Sequence, residues 1–278
     1  MKNKVVIITG GSSGIGKALA TEFGLQGSKL LITGRRKELL QMAEAELKSK
    51  GITVSTFSGD VSIEQDNERM VQTAIDLYGR IDVLVNNAGI SMRALFEELD
   101  LEVFKKVMNV NFFGTVYATK YALPHILESR GSVVGISSVN GRRATPARSA
   151  YSASKYAMEG FLESIRTEVM TRGVHVLSVC PGFTSSNIRQ TALTANGGTQ
   201  GESPRNESKM MSAEEAAQHI YRAIVSQKRD LVLTAQGKLA VALNKLFPSW
   251  MDNVTYKEMA KEPDSPLRRF LPGWQNFK

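Results

Sequence analysis

Short apolar runs alternate with longer helical stretches along the chain, and this alternation decides what it can fold into. Residues 5–8, 29–33, 53–57, 83–85, 132–136, 174–179 and 231–233 read as strands rich in Val, Ile and Leu. Several are apolar throughout, as strands covered on both faces must be. Helices are predicted near residues 16–26, 37–50, 64–78, 101–127, 152–171 and 213–226. Strand and helix in turn make βαβ units and a parallel sheet. Right-handed crossovers then place helices on both faces. The predicted fold is α/β: a single-domain, doubly wound (Rossmann) parallel sheet of about seven strands.

A single α/β domain can run to ~250 residues. The 278 residues therefore read as one domain over 1–235 and an extension over 236–278. Two stretches break the rhythm. Residues 184–209 are rich in Ser, Thr, Asn and Gly and poor in large apolar side chains. A loop of that length is usually functional or disordered. It follows a strand, so it belongs at the carboxyl edge of the sheet, where ligands bind in such folds. It reads as a substrate lid, with surface disorder as the competing reading. From Gly237 onward, Leu239, Val241, Leu243, Leu246, Phe247 and Trp250 form a partly amphipathic segment with Lys238 and Lys245. Packing on the core or on another subunit is the commoner fate of such segments. Capping the pocket or resting on a membrane surface are the alternatives. After Pro263, Asp264-Ser265-Pro266 and Pro272-Gly273 predict an extended chain.

The formal net charge is +8. Such a balance suits nucleic acid, an anionic membrane or an anionic small ligand. The Lys and Arg are spread among acids, with no basic run interleaved with aromatics, so nucleic acid is not expected as a partner. Cys180 is the only cysteine. A lone thiol excludes an internal disulfide and suits a reducing compartment. The first apolar run is too short for a signal-peptide core or a membrane span, which makes the cytoplasm the default location. His125, His175 and His219 are scattered, without carboxylates or cysteines at ligand spacing, so no metal is expected.

Directly after the first strand comes Thr9-Gly10-Gly11-Ser12-Ser13-Gly14-Ile15-Gly16. A strand feeding a glycine-rich turn and then a helix suits a pyrophosphate. Glycine allows the tight turn and the close backbone approach, and free N–H groups at the helix start face the anion. The spacing is Gly-x-x-x-Gly-x-Gly. The second strand ends in Thr33-Gly34-Arg35-Arg36. An acid there would hold the 2′-hydroxyl of NAD, whereas arginine favours a 2′-phosphate. Arg35 and Arg36 therefore point to NADP(H), although they also read as surface charges at a helix start. Lys17 is a further cation near the turn, expected to face solvent.

Tyr151 and Lys155 lie four residues apart on a predicted helix and share a face. A nearby ammonium favours the phenolate and lowers a tyrosine pKa, which suits acid–base work near neutrality. Together with the glycine turn, Asn86-Asn87-Ala88-Gly89, Asn111 and Ser138, this sequence resembles the short-chain dehydrogenase/reductase family over roughly residues 1–235. The resemblance implies roles. Ser138 hydrogen-bonds the substrate oxygen, with Ser137 as its competitor. Tyr151 donates or takes the proton. Lys155 binds the nicotinamide ribose and depresses the Tyr151 pKa. Asn111 supports a water that relays protons to Lys155. Gly10, Ser12, Ser13, Gly14, Ile15 and Gly16 hold the phosphates. Asp60 and Val61 contact the adenine region, and Asn87, Ala88 and Gly89 line the central cofactor site. Pro181, Gly182, Thr184 and Ser186 resemble the segment over the carboxamide, where the family usually has Val and Thr in place of Thr184 and Ser186.

The resulting expectation is an NADP(H)-dependent oxidoreductase that moves a hydride between the nicotinamide and an alcohol or carbonyl, reducing a hydrophobic ketone. A non-catalytic NADP(H)-binding sensor or scaffold is the alternative, and a nucleotide-sugar epimerase or dehydratase a more distant one. The predicted helices at 101–127 and 152–171 match those that pair across subunits in the family, which implies a homodimer or homotetramer.

Overall fold

Successive side chains of a strand point to opposite faces, so a strand that is apolar at every position must be covered twice. The computed structural model, which describes residues 1–207 and 210–270, shows this arrangement. The strands are β1 (Val5–Thr9), β2 (Lys29–Gly34), β3 (Val54–Ser58), β4 (Val83–Asn86), β5 (Ser132–Ile136), β6 (His175–Cys180) and β7 (Asp230–Val232). They form one seven-stranded sheet in the order β3-β2-β1-β4-β5-β6-β7. Every neighbouring pair is parallel. The helices are α1 (Gly14–Leu25), α2 (Lys37–Ser49), α3 (Glu64–Tyr78), α4 (Leu101–Met108), α5 (Gly114–Ser129), α6 (Ser149–Val169), α7 (Ala213–Val225), α8 (Ala235–Leu246) and α9 (Pro248–Ala260).

The alternation of side chains divides the core in two. Val6, Ile8, Leu30, Ile32 and Val85 pack with Leu19 of α1, Leu40 of α2 and Ile220 of α7. Ile7, Leu31, Leu84 and Val133 pack on the other face with Met70 of α3, Ala118 of α5 and Leu162 of α6. Register keeps the faces together: Ile7 pairs with Leu31 on one side and with Leu84 on the other. The strand order reverses between β1 and β4, and ligands bind at the carboxyl ends of strands flanking such a switch point.

The structure departs from the sequence expectations in three places: the helix over 101–127, the start of α6 and the chain beyond Pro263. The helix predicted at 101–127 is broken into α4 and α5 by a π-helical stretch at Asn109–Phe113. Its cause is tertiary. Asn111 turns its side chain to the backbone of Ile90, and Gly114 packs so tightly on Val61 that a Cβ would lie 2.9 Å from a Val61 methyl. The catalytic-helix candidate α6 begins at Ser149, not 152, which puts Tyr151 in its first turn. The stretch 184–207, read as a lid or as surface disorder, is tied to the body by bridges of Leu193 with Met92 and Thr184 with Met211, and closed on itself by an Arg189–Glu207 ion pair at 2.6 Å. Residues 208 and 209 of the predicted lid lie outside the described residues.

The partly amphipathic segment from Gly237 onward belongs to two helices, α8 and α9. Pro248 starts α9 at a position where its missing N–H costs nothing. Met259, Ala260 and Leu267 pack with Leu95, and Arg143 ties α9 down through the Met251 carbonyl at 3.1 Å and Asp252 at 2.9 Å. Beyond Pro263 the chain turns at Asp264 and Pro266 instead of running extended, and the described residues end in a short helical turn at Arg268–Phe270. Pro272 and Gly273 lie outside the described residues. No described helix is long and apolar enough to cross a membrane.

Leu84 is fully buried in the middle of the sheet. Leu84→Ala is expected to cost about 2–5 kcal/mol of stability, as transfer and cavity terms add. Urea unfolding of the two proteins measures it, and a loss under about 1 kcal/mol would contradict the two-layer packing.

Candidate active site

The turn after β1 is shaped by what lies behind it. Gly10 and Gly14 adopt φ of 66° and 51°, which disfavours any side chain. Gly16 has no room for one: a Cβ would lie 2.3 Å from the Gly10 carbonyl oxygen and 2.5 Å from Asn87 Nδ2. Asn87, just past β4, donates from Nδ2 to the carbonyls of Thr9 at 2.9 Å and Gly10 at 3.1 Å. Thr9 Oγ1 returns the contact, accepting from the backbone N–H of Asn87 and of Ala88, each at 3.0 Å. The start of α1 thus faces the switch point, a ready site for an anion.

A cavity of about 970 Å³ opens there. Gly10, Ser12, Ser13, Gly14 and Ile15 line it from the turn, and Arg35 and Arg36 from the end of β2. Asp60 and Val61 line it from the end of β3, and Asn87, Ala88 and Gly89 from the end of β4. Ser138, Tyr151 and Lys155 line it further along, with Pro181, Gly182, Thr184 and Ser186 after β6. Of the residues singled out in the sequence, Gly16 and Asn111 sit behind the wall. Gly16 is the floor of the turn. Asn111 is fully buried, accepting from Ile90 N–H at 2.8 Å and donating to the Ile90 carbonyl and to Ser154 Oγ, each at 2.9 Å. Lys17 turns outward to Glu46 at 2.7 Å.

Asp60 is committed to its own turn, accepting from Ser62 N–H at 2.9 Å and Ser62 Oγ at 2.7 Å, with Arg35 at 3.6 Å. Arg35 remains half exposed at the mouth of the cavity. Two observations fit a dinucleotide. The Gly10–Gly14–Gly16 cradle brings bare backbone to the cavity where a phosphate would lie. Thr184 Oγ1 is buried against the cavity without a hydrogen-bond partner among the described residues. A buried hydroxyl in that state is free to accept or donate to a bound group.

Tyr151, Ser138 and Lys155 converge from α6 and the end of β5. Ser138 Oγ, which accepts from the Asn140 N–H at 3.1 Å, stands beside the Tyr151 phenol and favours its ionised form. Ser137 points away: it is buried and leans on the Lys155 carbonyl. Lys155 Nζ donates to the Ile136 carbonyl at 2.8 Å and lies 5.8 Å from the centre of the Tyr151 ring. Burial pulls the Lys155 ammonium down to about 8, against the charge of Glu159 one turn further on. Burial also raises the Tyr151 phenol above its ordinary value. The largest influences opposing that rise are the Ser138 hydrogen bond and the charges of Arg148 and Arg189. The Lys155 ammonium is directed at the Ile136 carbonyl, and Arg148 and Arg189 supply the largest charges that lower the phenol.

Those arginines were not singled out in the sequence. Arg148 precedes Tyr151 by one helical turn, a spacing that places both on one face. Arg189 and Arg205 come from the stretch 184–207, and Arg205 stacks on Phe183 at 4.1 Å. Leu239, Leu243, Trp250, Val254 and Met259 of α8 and α9 form an apolar wall opposite the sheet. Among the described residues no group of three or more His, Cys, Asp or Glu could hold a metal ion.

Comparison with known proteins agrees with this geometry. The sequence profile of the short chain dehydrogenases matches residues 4–197. The dehydrogenase/reductase SDR family member 7B of Mus musculus is 34% identical over 271 residues, covering 95% of this chain and 84% of that protein. The dehydrogenase/reductase SDR family protein 7-like of Anopheles gambiae is 38% identical over 258 residues, 90% of this chain and 81% of that protein. A short chain dehydrogenase/reductase from Burkholderia phymatum, solved in complex with NAD, has the same fold: TM-score 0.81 at 22% identity, over 90% of this chain and 95% of that one. With the profile spanning most of the chain and such relatives alike across nearly all of it, this chain belongs to the short-chain dehydrogenase/reductase family of oxidoreductases.

Proposed function

We propose that the protein is an NADP(H)-dependent reductase of a hydrophobic ketone, reversible toward the alcohol. The carrying observation is the Ser138–Tyr151–Lys155 group at the cavity wall, between the phosphate-shaped turn and the apolar wall of α8 and α9. When bound, the nicotinamide supplies or accepts the hydride. The residues do the rest. Ser138 Oγ donates to the substrate oxygen and fixes it beside the phenol. Tyr151 Oη gives up its proton as negative charge develops on that oxygen. Lys155 holds the ribose and keeps positive charge beneath the phenol. Asn111 belongs to the same proposal, supporting a water on the proton path to Lys155.

The NADP(H) preference rests on Arg35 and Arg36 at the end of β2, where no acid stands. The Burkholderia neighbour binds NAD, but its likeness lies in the fold. Further parts of the reading are a cytoplasmic location, in keeping with the single buried Cys180, and a homodimer or homotetramer. The exposed apolar side chains Leu101, Phe113, Tyr156 and Met170 on and beside α4, α5 and α6 support the latter.

Three outcomes are expected. Tyr151→Phe abolishes NADPH consumption with a ketone panel, by roughly 10²–10⁴-fold in kcat, while calorimetry still finds NADPH binding. Full activity in that variant would remove the proton-donor role. Arg35→Ala weakens NADPH by about tenfold or more through loss of a charge-assisted contact, with NADH little changed, and an unaltered preference in the titration would refute the 2′-phosphate assignment. The third concerns pH. Lys155 is charged below about 8 and neutral above it, so kcat/KM for reduction falls as pH rises through that value. A profile flat across it would contradict the need for the ammonium.

A further inference from the structure

Arg148 is in an unusual state for a buried cation. It is 8% exposed and lines the cavity beside Tyr151. The residue before it, Ala147, holds a left-handed backbone with φ of 58°, a conformation kept only where the surroundings impose it. A guanidinium has five N–H donors, and a buried charge is normally closely paired. Among the described residues Arg148 has one hydrogen bond, to the Met92 carbonyl at 3.0 Å, and one loose ion pair, to Glu262 at 3.9 Å.

Glu262 is already occupied. It is buried, with Arg205 Nε at 2.7 Å and Arg93 at 3.4 Å. Three guanidiniums therefore share one carboxylate, and the cluster carries two positive charges in excess. Arg93 gains the Pro263 carbonyl at 2.8 Å, and Arg205 stacks on Phe183. Arg148 is left the least compensated, and it is the one on the Tyr151 side.

We propose that Arg148 binds an anionic head group, a carboxylate or a phosphate, on a ligand whose apolar body lies along α8 and α9. Naming that ligand the substrate rests on the reductase reading above. The guanidinium fork matches both oxyanions, and the Glu262 carboxylate shows that the cluster accepts a group of this kind. Two excess charges leave room for one more anion. The pocket then takes an amphipathic keto compound rather than a wholly neutral one.

The test is calorimetric titration of the full chain with dodecanoate, dodecyl phosphate and dodecanol, below their aggregation concentrations. At least one anion is expected to bind about tenfold tighter than the alcohol, and the tighter anion identifies the head group. Arg148→Gln brings the anions to the level of dodecanol, whose own binding is not weakened; Arg148→Lys restores part of the preference. Glu262→Gln removes the internal competitor and tightens the anions severalfold, which keeps the proposal testable if Arg148→Gln does not fold. Anions that bind no better than dodecanol, or a preference that survives Arg148→Gln, would overturn it. NADPH consumption with neutral ketones is read separately, since its absence would remove the reductase reading and leave the anion result standing.

Discussion

One side-chain amide holds the two halves of the sheet's carboxyl edge together. Asn87 reaches from the end of β4 to the carbonyls of Thr9 and Gly10 at the end of β1, across the point where the strand order reverses. Each such bond contributes about 1 kcal/mol net, but its effect is positional. It fixes the height of the glycine turn. Gly16 must then come within van der Waals distance of Gly10 and of Asn87 itself, which leaves no space for a Cβ. Turn, helix start and strand end close as one unit, and the cavity exists because they do.

Closing that unit buries the groups that would do chemistry, and burial then governs their charge. Lys155 is 3% exposed and pulled down to about 8. It keeps that much of its basicity because Glu159 stands one turn further along α6. Glu159 is in turn caged by Ser178 Oγ at 2.7 Å, by the Cys180 thiol at 3.2 Å and by Arg142 at 2.6 Å. The same carboxylate, with burial, pushes the Cys180 thiol up to about 12. The lone cysteine is therefore a thiol donor in a hydrogen-bonded cage and a poor nucleophile.

What was legible in the sequence follows from range. Strands buried on both faces, β1, β2, β4, β5 and β6, announce themselves locally, and the part-exposed edge strands β3 and β7 still carry short apolar runs, so all seven were found to within a residue or so. The glycine turn and the Tyr151-x-x-x-Lys155 spacing are also local. The break inside 101–127 was not legible, because it depends on Asn111 meeting Ile90 and on Gly114 meeting Val61, contacts made only after folding. The tail showed its apolar residues but not its two helices, since their hydrophobic faces match a pocket rather than a regular core. The direction of the Tyr151 shift was missed for a related reason. Spacing reports that Lys155 is near, while the phenol's environment is set by burial and by arginines from the helix start and the stretch 184–207.

The arginine wall and the apolar wall look contradictory until their energetics are compared. An apolar body gains from α8 and α9 at roughly 25 cal/mol per Å² of surface removed from water. It would also strip water from Arg148 and supply nothing in return, and leaving donors of a charged group unmet costs more than a neutral hydrogen bond contributes. A neutral ketone filling the cavity therefore loses at one end part of what it gains at the other. A ligand with an anionic head meets both walls. Discrimination of this kind is steep, because a site built around unmet donors rejects an analogue that lacks the acceptor far more strongly than an apolar pocket rejects a change of one methylene. The Glu262 carboxylate sharpens it further. By pairing with Arg205 and Arg93 it occupies those two cations, and by standing 3.9 Å from Arg148 it leaves open the member of the cluster on the Tyr151 side.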